Sequence, residues 1–238
     1  MKLRPTWKSL LAFVALLFFM AEAHELVHTG LGRLLCGCWG TRDFNVWSLC
    51  ASCQTGHVWT NFATTYAGPL FSFAMGWWGC FLLSPRQTTA RRSLGFALVF
   101  ASLPFARILG ALMGGNDEVY ALSKVLPYPR AWALGAALVL LATVPPLVRA
   151  YAALQGRHRI WYFLGFFLLP FALAFAVILG GLNTLLASGF MASDGVLGSP
   201  ILVNCWTAIL TLTLALTYRH LYCLVPPALL SAVPVVSA

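Results

Sequence analysis

The sequence predicts an all-α polytopic membrane protein, one membrane-embedded helical domain with about six spans. Three observations carry this. Hydrophobic residues make up 60% of the 238 residues and charged residues 9%, where a soluble domain carries roughly 25% charge. Mean hydropathy is +0.82. Apolar runs near the ~20 residues that a bilayer core requires recur along the chain. The composition excludes a soluble globular enzyme, and it excludes a disordered chain, which is rich in charge and poor in aromatics. The net charge of +9, from 15 Lys and Arg against 6 Asp and Glu, would suggest nucleic acid in a soluble protein. In a membrane protein it reflects basic residues gathered in cytoplasmic loops. The expected surroundings are therefore a lipid bilayer, with no nucleic-acid partner.

Taken in order, the expected spans are 9–30, 62–83, 94–113, 131–148, 160–187 and 201–224. The third is interrupted by Arg107. The stretch 160–193 has no formal charge and is too long for one simple span, so part of it is expected to re-enter the bilayer or lie in its interface. Lys2, Arg4, Lys8, Arg86, Arg91, Arg92, Arg149, Arg157, Arg159 and Arg219 fall to one side. Arg33, Arg42, Lys124 and Arg130 fall to the other. The positive-inside rule then places both termini in the cytoplasm.

The first span ends in His24-Glu25-Leu26-Val27-His28. Ionisable groups inside a membrane helix are costly and mark function. Residues four apart share a helix face, offset by ~6 Å, so two imidazoles there can grip one zinc ion, with Glu25 beside it as general base. No third His follows on the same helix, so the third ligand comes from elsewhere. Asp43, His57, Asp117, Glu118 and Asp194 are candidates. Asp117 is preferred because it directly follows an apolar span, after Gly114, Gly115 and Asn116. The chain start also reads as a signal peptide, with basic residues, an apolar run and Ala21-Glu22-Ala23. Because the His motif follows without a break, that segment is expected to stay.

These residues resemble the site-2 protease family of intramembrane zinc metalloproteases. His24-Glu25-Leu26-Val27-His28 matches the family's zinc helix. Ala67-Gly68-Pro69-Leu70 is similar to its Gly-Pro motif, and Asn116-Asp117 stands where the family places an Asp ligand. The resemblance covers the first half of the chain. It implies zinc on His24, His28 and Asp117, Glu25 as general base, and hydrolysis of a peptide bond in or near a membrane segment of a membrane-protein substrate. The rival is a non-catalytic metal-binding membrane protein, a transporter or assembly factor.

Depth tests the grouping. At ~1.5 Å per residue, His28 lies ~30 Å from Lys8 and Asp117 ~37 Å from Arg92. Both fall toward the extracytoplasmic half, and the ~7 Å overshoot closes only if the chain turns back at Gly114 and Gly115. Asn183, after Gly180 and Gly181, is read either as a donor to an oxyanion or as a helix cap. Arg107 and Glu22 are the remaining intramembrane charges, and a pairing between them is open. In the loop 33–61, Cys36, Cys38, Cys50 and Cys53 have spacing that suits a structural zinc. An extracytoplasmic loop favours disulfides instead.

Overall fold

The computed structural model describes residues 1–54 and 58–224, and among them the chain is helical with no strand. Helix α1 runs Trp7–Cys36. Thr6 starts it by accepting from the Ser9 amide while Ser9 Oγ accepts from the Thr6 amide, which satisfies two amides that a helix start leaves unpaired. A short turn, α2 (Ala51–Gln54), precedes α3 (Val58–Leu82). Helix α4 (Thr89–Ala101) is followed by α5 (Pro104–Leu112), α6 (Asp117–Ser123) and α7 (Tyr128–Ala153). Helix α8 (Arg159–Ala174) passes into a π-helical stretch, Phe175–Leu182, and then α9 (Asn183–Ala187). Helix α10 (Ile201–Thr217) ends in a 3-10 turn, Tyr218–Cys223.

Five of these stretches are long and apolar enough to cross a membrane: Trp7–Cys36, Thr89–Leu112, Tyr128–Ala153, Arg159–Ala187 and Ile201–Cys223. Among the described residues the expected six is therefore corrected to five. The region 62–83 does fold as α3, but its Thr, Ser, Gly, Pro and Trp content lowers its hydropathy. It packs chiefly on α1 and α4. The long apolar stretch after residue 159 is helical as far as Ala187. It is one continuous helical stretch that includes the π-helical segment Phe175–Leu182.

The third expected span is not a straight helix. It breaks at Ser102 and Leu103, where Leu103 takes a left-handed φ of 53° and Pro104 opens α5. Proline suits that first helical turn because its missing N–H would have had no partner. At the far end Gly114 adopts φ 76°, a conformation that costs glycine little. The chain turns there, and the short α6 follows Asn116, whose side chain makes no cap hydrogen bond.

The core is apolar and aromatic. Phe13, Phe96, Phe100 and Phe166 form one buried cluster joining α1, α4 and α8, with edge-on ring contacts at 4.9 and 5.1 Å. The start of the chain, the end of α7 and residue Leu224 meet at one end of the bundle through Arg4–Leu224 and Gln155–Met1 backbone hydrogen bonds. At the other end the loop 37–50 folds back into the bundle, and Phe44 is 2% exposed.

Candidate metal centre

Helix α1 carries His24 and His28 one turn apart, both buried. The turn at Gly114 brings Asp117, the first residue of α6, over them. Nε2 of His24 and Nε2 of His28 are 3.1 Å apart, and Oδ2 of Asp117 lies 3.3 and 3.6 Å from them. Among the described residues, these three form a grouping able to hold a metal ion. The returning turn that the depth count required is present. Two further candidates lie elsewhere. Asp43 caps its own turn, accepting from the amides of Asn45 and Val46. Asp194 is exposed beside Pro200. His57 lies outside the described residues.

The surroundings fix the ligands. Nδ1 of His28 lies 2.7 Å from the Thr64 carbonyl oxygen. A carbonyl only accepts, so Nδ1 carries the proton and Nε2 presents a bare lone pair toward His24 and Asp117. The indole of Trp47 stacks on the same ring, with centroids 4.5 Å apart and planes 9° from parallel. Nδ1 of His24 is 3.0 Å from Ser72 Oγ on α3. Burial alone would raise the Asp117 carboxyl, but its contacts with His24 and His28 together outweigh this and hold the group below the usual carboxylate range.

Gly68 explains how α3 approaches so closely. A Cβ built there would lie 2.2 Å from His28 Nε2 and 2.6 Å from His24 Cε1. Any side chain at 68 would occupy the space of the imidazoles. The neighbouring Pro69 is buried inside α3 and has no N–H for the Thr65 carbonyl.

A cavity of about 420 Å³ opens at the centre. His24, Glu25, Arg107, Asn116 and Asp117 supply its polar wall. Met20, Phe44, Phe171, Phe175 and Ile178 supply its apolar wall. Oε2 of Glu25 is buried with no hydrogen-bond partner. A second cavity of about 400 Å³ shares Asn45, Trp47 and Asp117 with the first and adds Ser48, Asn61 and Tyr120.

Several pairings escaped the sequence. Arg107 does not pair with Glu22. Its Nη1 donates to Glu118 Oε1 at 3.1 Å and lies 4.0 Å from Asp117, and its Nη2 reaches His24. Glu118 therefore faces Arg107 rather than the His pair. Glu22 instead accepts from Arg42 at 2.9 Å and from Thr207 at 2.9 Å, and Arg42 also donates to Ser199. This pair ties the 37–50 loop to α1 one half-turn before His24. Its signal in the sequence was only that a mid-span carboxylate needs a cation. The loop cysteines form two nested disulfides, Cys36–Cys53 and Cys38–Cys50, so the second-metal alternative does not apply to them. Asn116 donates to the Arg107 carbonyl at 2.7 Å. Asn183 opens α9 and donates to Asn45 at 2.8 Å. The main cavity is lined by Asn45 and not by Asn183.

Neither family models, nor characterised proteins, nor solved structures match the chain.

Proposed function

We propose that the protein is a zinc-dependent intramembrane endopeptidase that cuts a peptide bond in or near a membrane segment of a protein substrate. The observation that carries this reading is the ligand triangle. Tetrahedral ligands at the usual ~2.0–2.1 Å from zinc stand ~3.3–3.4 Å apart. The three donor atoms here stand 3.1, 3.3 and 3.6 Å apart. Two nitrogens and one carboxylate oxygen are a donor set zinc accepts, and three protein ligands leave a fourth position open. Zinc bound there would supply a water acidified toward a pKa of ~7 and a Lewis acid for a carbonyl.

The chain's own residues do the rest. Glu25 lines the cavity beside the triangle, and its unpartnered Oε2 is free to take a proton from the attacking water. Water oxygen bonds to the carbonyl carbon, the carbonyl π pair moves to its oxygen, and Glu25 returns the proton to the amide nitrogen as the C–N bond breaks. The apolar wall suits the side chains of a membrane segment, and the polar second cavity suits water supply. The scissile bond must be locally unwound, because helical peptide groups are shielded by their own hydrogen bonds. The segregation of basic residues supports an orientation with the N-terminus in the cytoplasm and the metal site toward the opposite face.

The test is zinc content and cleavage of a fluorogenic single-span reporter for wild type, His24→Ala and Glu25→Gln. Glu25→Gln is expected to keep stoichiometric zinc and to lose about 10²–10⁴-fold in rate. His24→Ala loses both. Bound zinc with no cleavage, or with full activity in Glu25→Gln, would favour the non-catalytic metal-binding reading.

A further inference from the structure

Arg107 is an intramembrane guanidinium whose side chain is 13% exposed, and it lines the main cavity together with His24, Glu25 and Asp117. Its two ends differ. Nη1 is committed to Glu118 Oε1 at 3.1 Å. Glu118 is fully buried, so this bond anchors the guanidinium. Nη2 sits 3.3 Å from Ser72 Oγ, and 2.8 and 3.1 Å from Nδ1 and Nε2 of His24. A guanidinium only donates, so the Nη2 contact with His24 requires a lone pair on one of the two ring nitrogens.

Metal ligation removes that lone pair. If Nε2 of His24 gives its electrons to an ion, the ring proton resides on Nδ1, and Nδ1 then donates to Ser72 Oγ, 3.0 Å away. One Nη2 hydrogen is left without its acceptor on the imidazole, in the wall of the cavity. We propose that Arg107 is the anion-recognising group of this site: in the loaded protein its Nη2 donates to the oxygen on which negative charge gathers, the substrate carbonyl as water adds, or a carboxylate. The inference rests on the zinc reading above and deepens it. It assigns to Arg107 the role that sequence reasoning offered to Asn183, which is engaged with Asn45 and does not line the cavity. Charged donors aimed where charge develops are among the strongest contributors to acyl-transfer rates.

The test uses the full chain loaded with Co²⁺, whose visible absorption reports its ligands. Co²⁺ affinity is measured by chelator competition, then acetate is titrated into wild type, Arg107→Lys and Arg107→Gln. The expected result is that Arg107→Gln keeps Co²⁺ affinity within a few-fold and weakens acetate at least tenfold, with Arg107→Lys between. On the reporter, kcat falls about 10²–10³-fold while KM changes little. Arg107→Gln leaves Glu118 buried and unpaired, so Arg107→Gln/Glu118→Gln carries the same comparison if the single variant misfolds. Unchanged acetate affinity in the variants, or no acetate response in wild type, overturns the inference. So does loss of Co²⁺ in the variants to the degree seen in His24→Ala, which would make Arg107 a positioning residue for Asp117. Failure of wild type to bind Co²⁺ at all removes the zinc reading itself, so the two failures are distinct.

Discussion

Replacing Gly68 with alanine isolates the geometry of the metal triangle from its chemistry. The added methyl lies 2.2 Å from His28 Nε2, 2.6 Å from His24 Cε1 and 2.7 Å from His28 Cδ2. Non-bonded carbon contacts settle near ~3.5 Å, so the rings or α3 must retreat by roughly 1 Å. Neither ring has easy room to move. His28 is held by Thr64 at 2.7 Å and by the stacked Trp47, and both imidazoles are buried. Overpacking of this kind costs about 1–3 kcal/mol, while alanine in a helix regains roughly 0.8–1 kcal/mol over glycine. The fold is therefore expected to survive. The ligands are not, since a ~1 Å shift is half of a ~2 Å metal–nitrogen bond. Metal affinity should fall at least 100-fold, the upper end of what disturbed ligand support costs. Chelator competition on detergent-purified protein measures this, and circular dichroism checks helicity. A Gly68→Ala protein that binds metal as tightly as wild type would refute the placement of α3 against the His pair.

The other predictions concern the loop and its supports. Arg42→Ala strands Glu22 as a buried, unpaired carboxylate and should destabilise the protein by about 3–5 kcal/mol in denaturant unfolding, while Glu22→Gln/Arg42→Gln recovers most of that. Cys38→Ser/Cys50→Ser opens a bridge of sequence separation 12; loop-closure entropy makes this worth about 2–4 kcal/mol. Metal affinity should drop in parallel as Trp47 leaves His28. Equilibrium dialysis across pH should show metal affinity falling on acidification, because the ligands bind deprotonated. Asp117 is held below the usual carboxylate range, so its carboxylate stays deprotonated and available to the metal at mildly acid pH. An affinity that rises on acidification would contradict ligation by deprotonated groups.

Much of the site was readable before any coordinates. A His pair four residues apart inside an apolar run specifies its own geometry, since helix periodicity puts both rings on one face. The loop cysteines favoured a covalent staple over a second metal but did not specify the pairing. Helix existence followed from apolar run length, although run length overcounted at 62–83, where packing between α1 and α4 stabilises a helix that its own hydropathy does not mark as a span. Other features lie between residues far apart in sequence. Nothing local says that Glu22 meets Arg42 rather than Arg107, that Trp47 covers His28, or that a break at Leu103 and a turn at Gly114 carry Arg107 and Asp117 to one point. Short-range propensity fixes the helices and the chemistry each can carry. Which distant charges neutralise one another is settled only when burial makes an unpaired ion too costly and the bundle leaves each a single partner within reach.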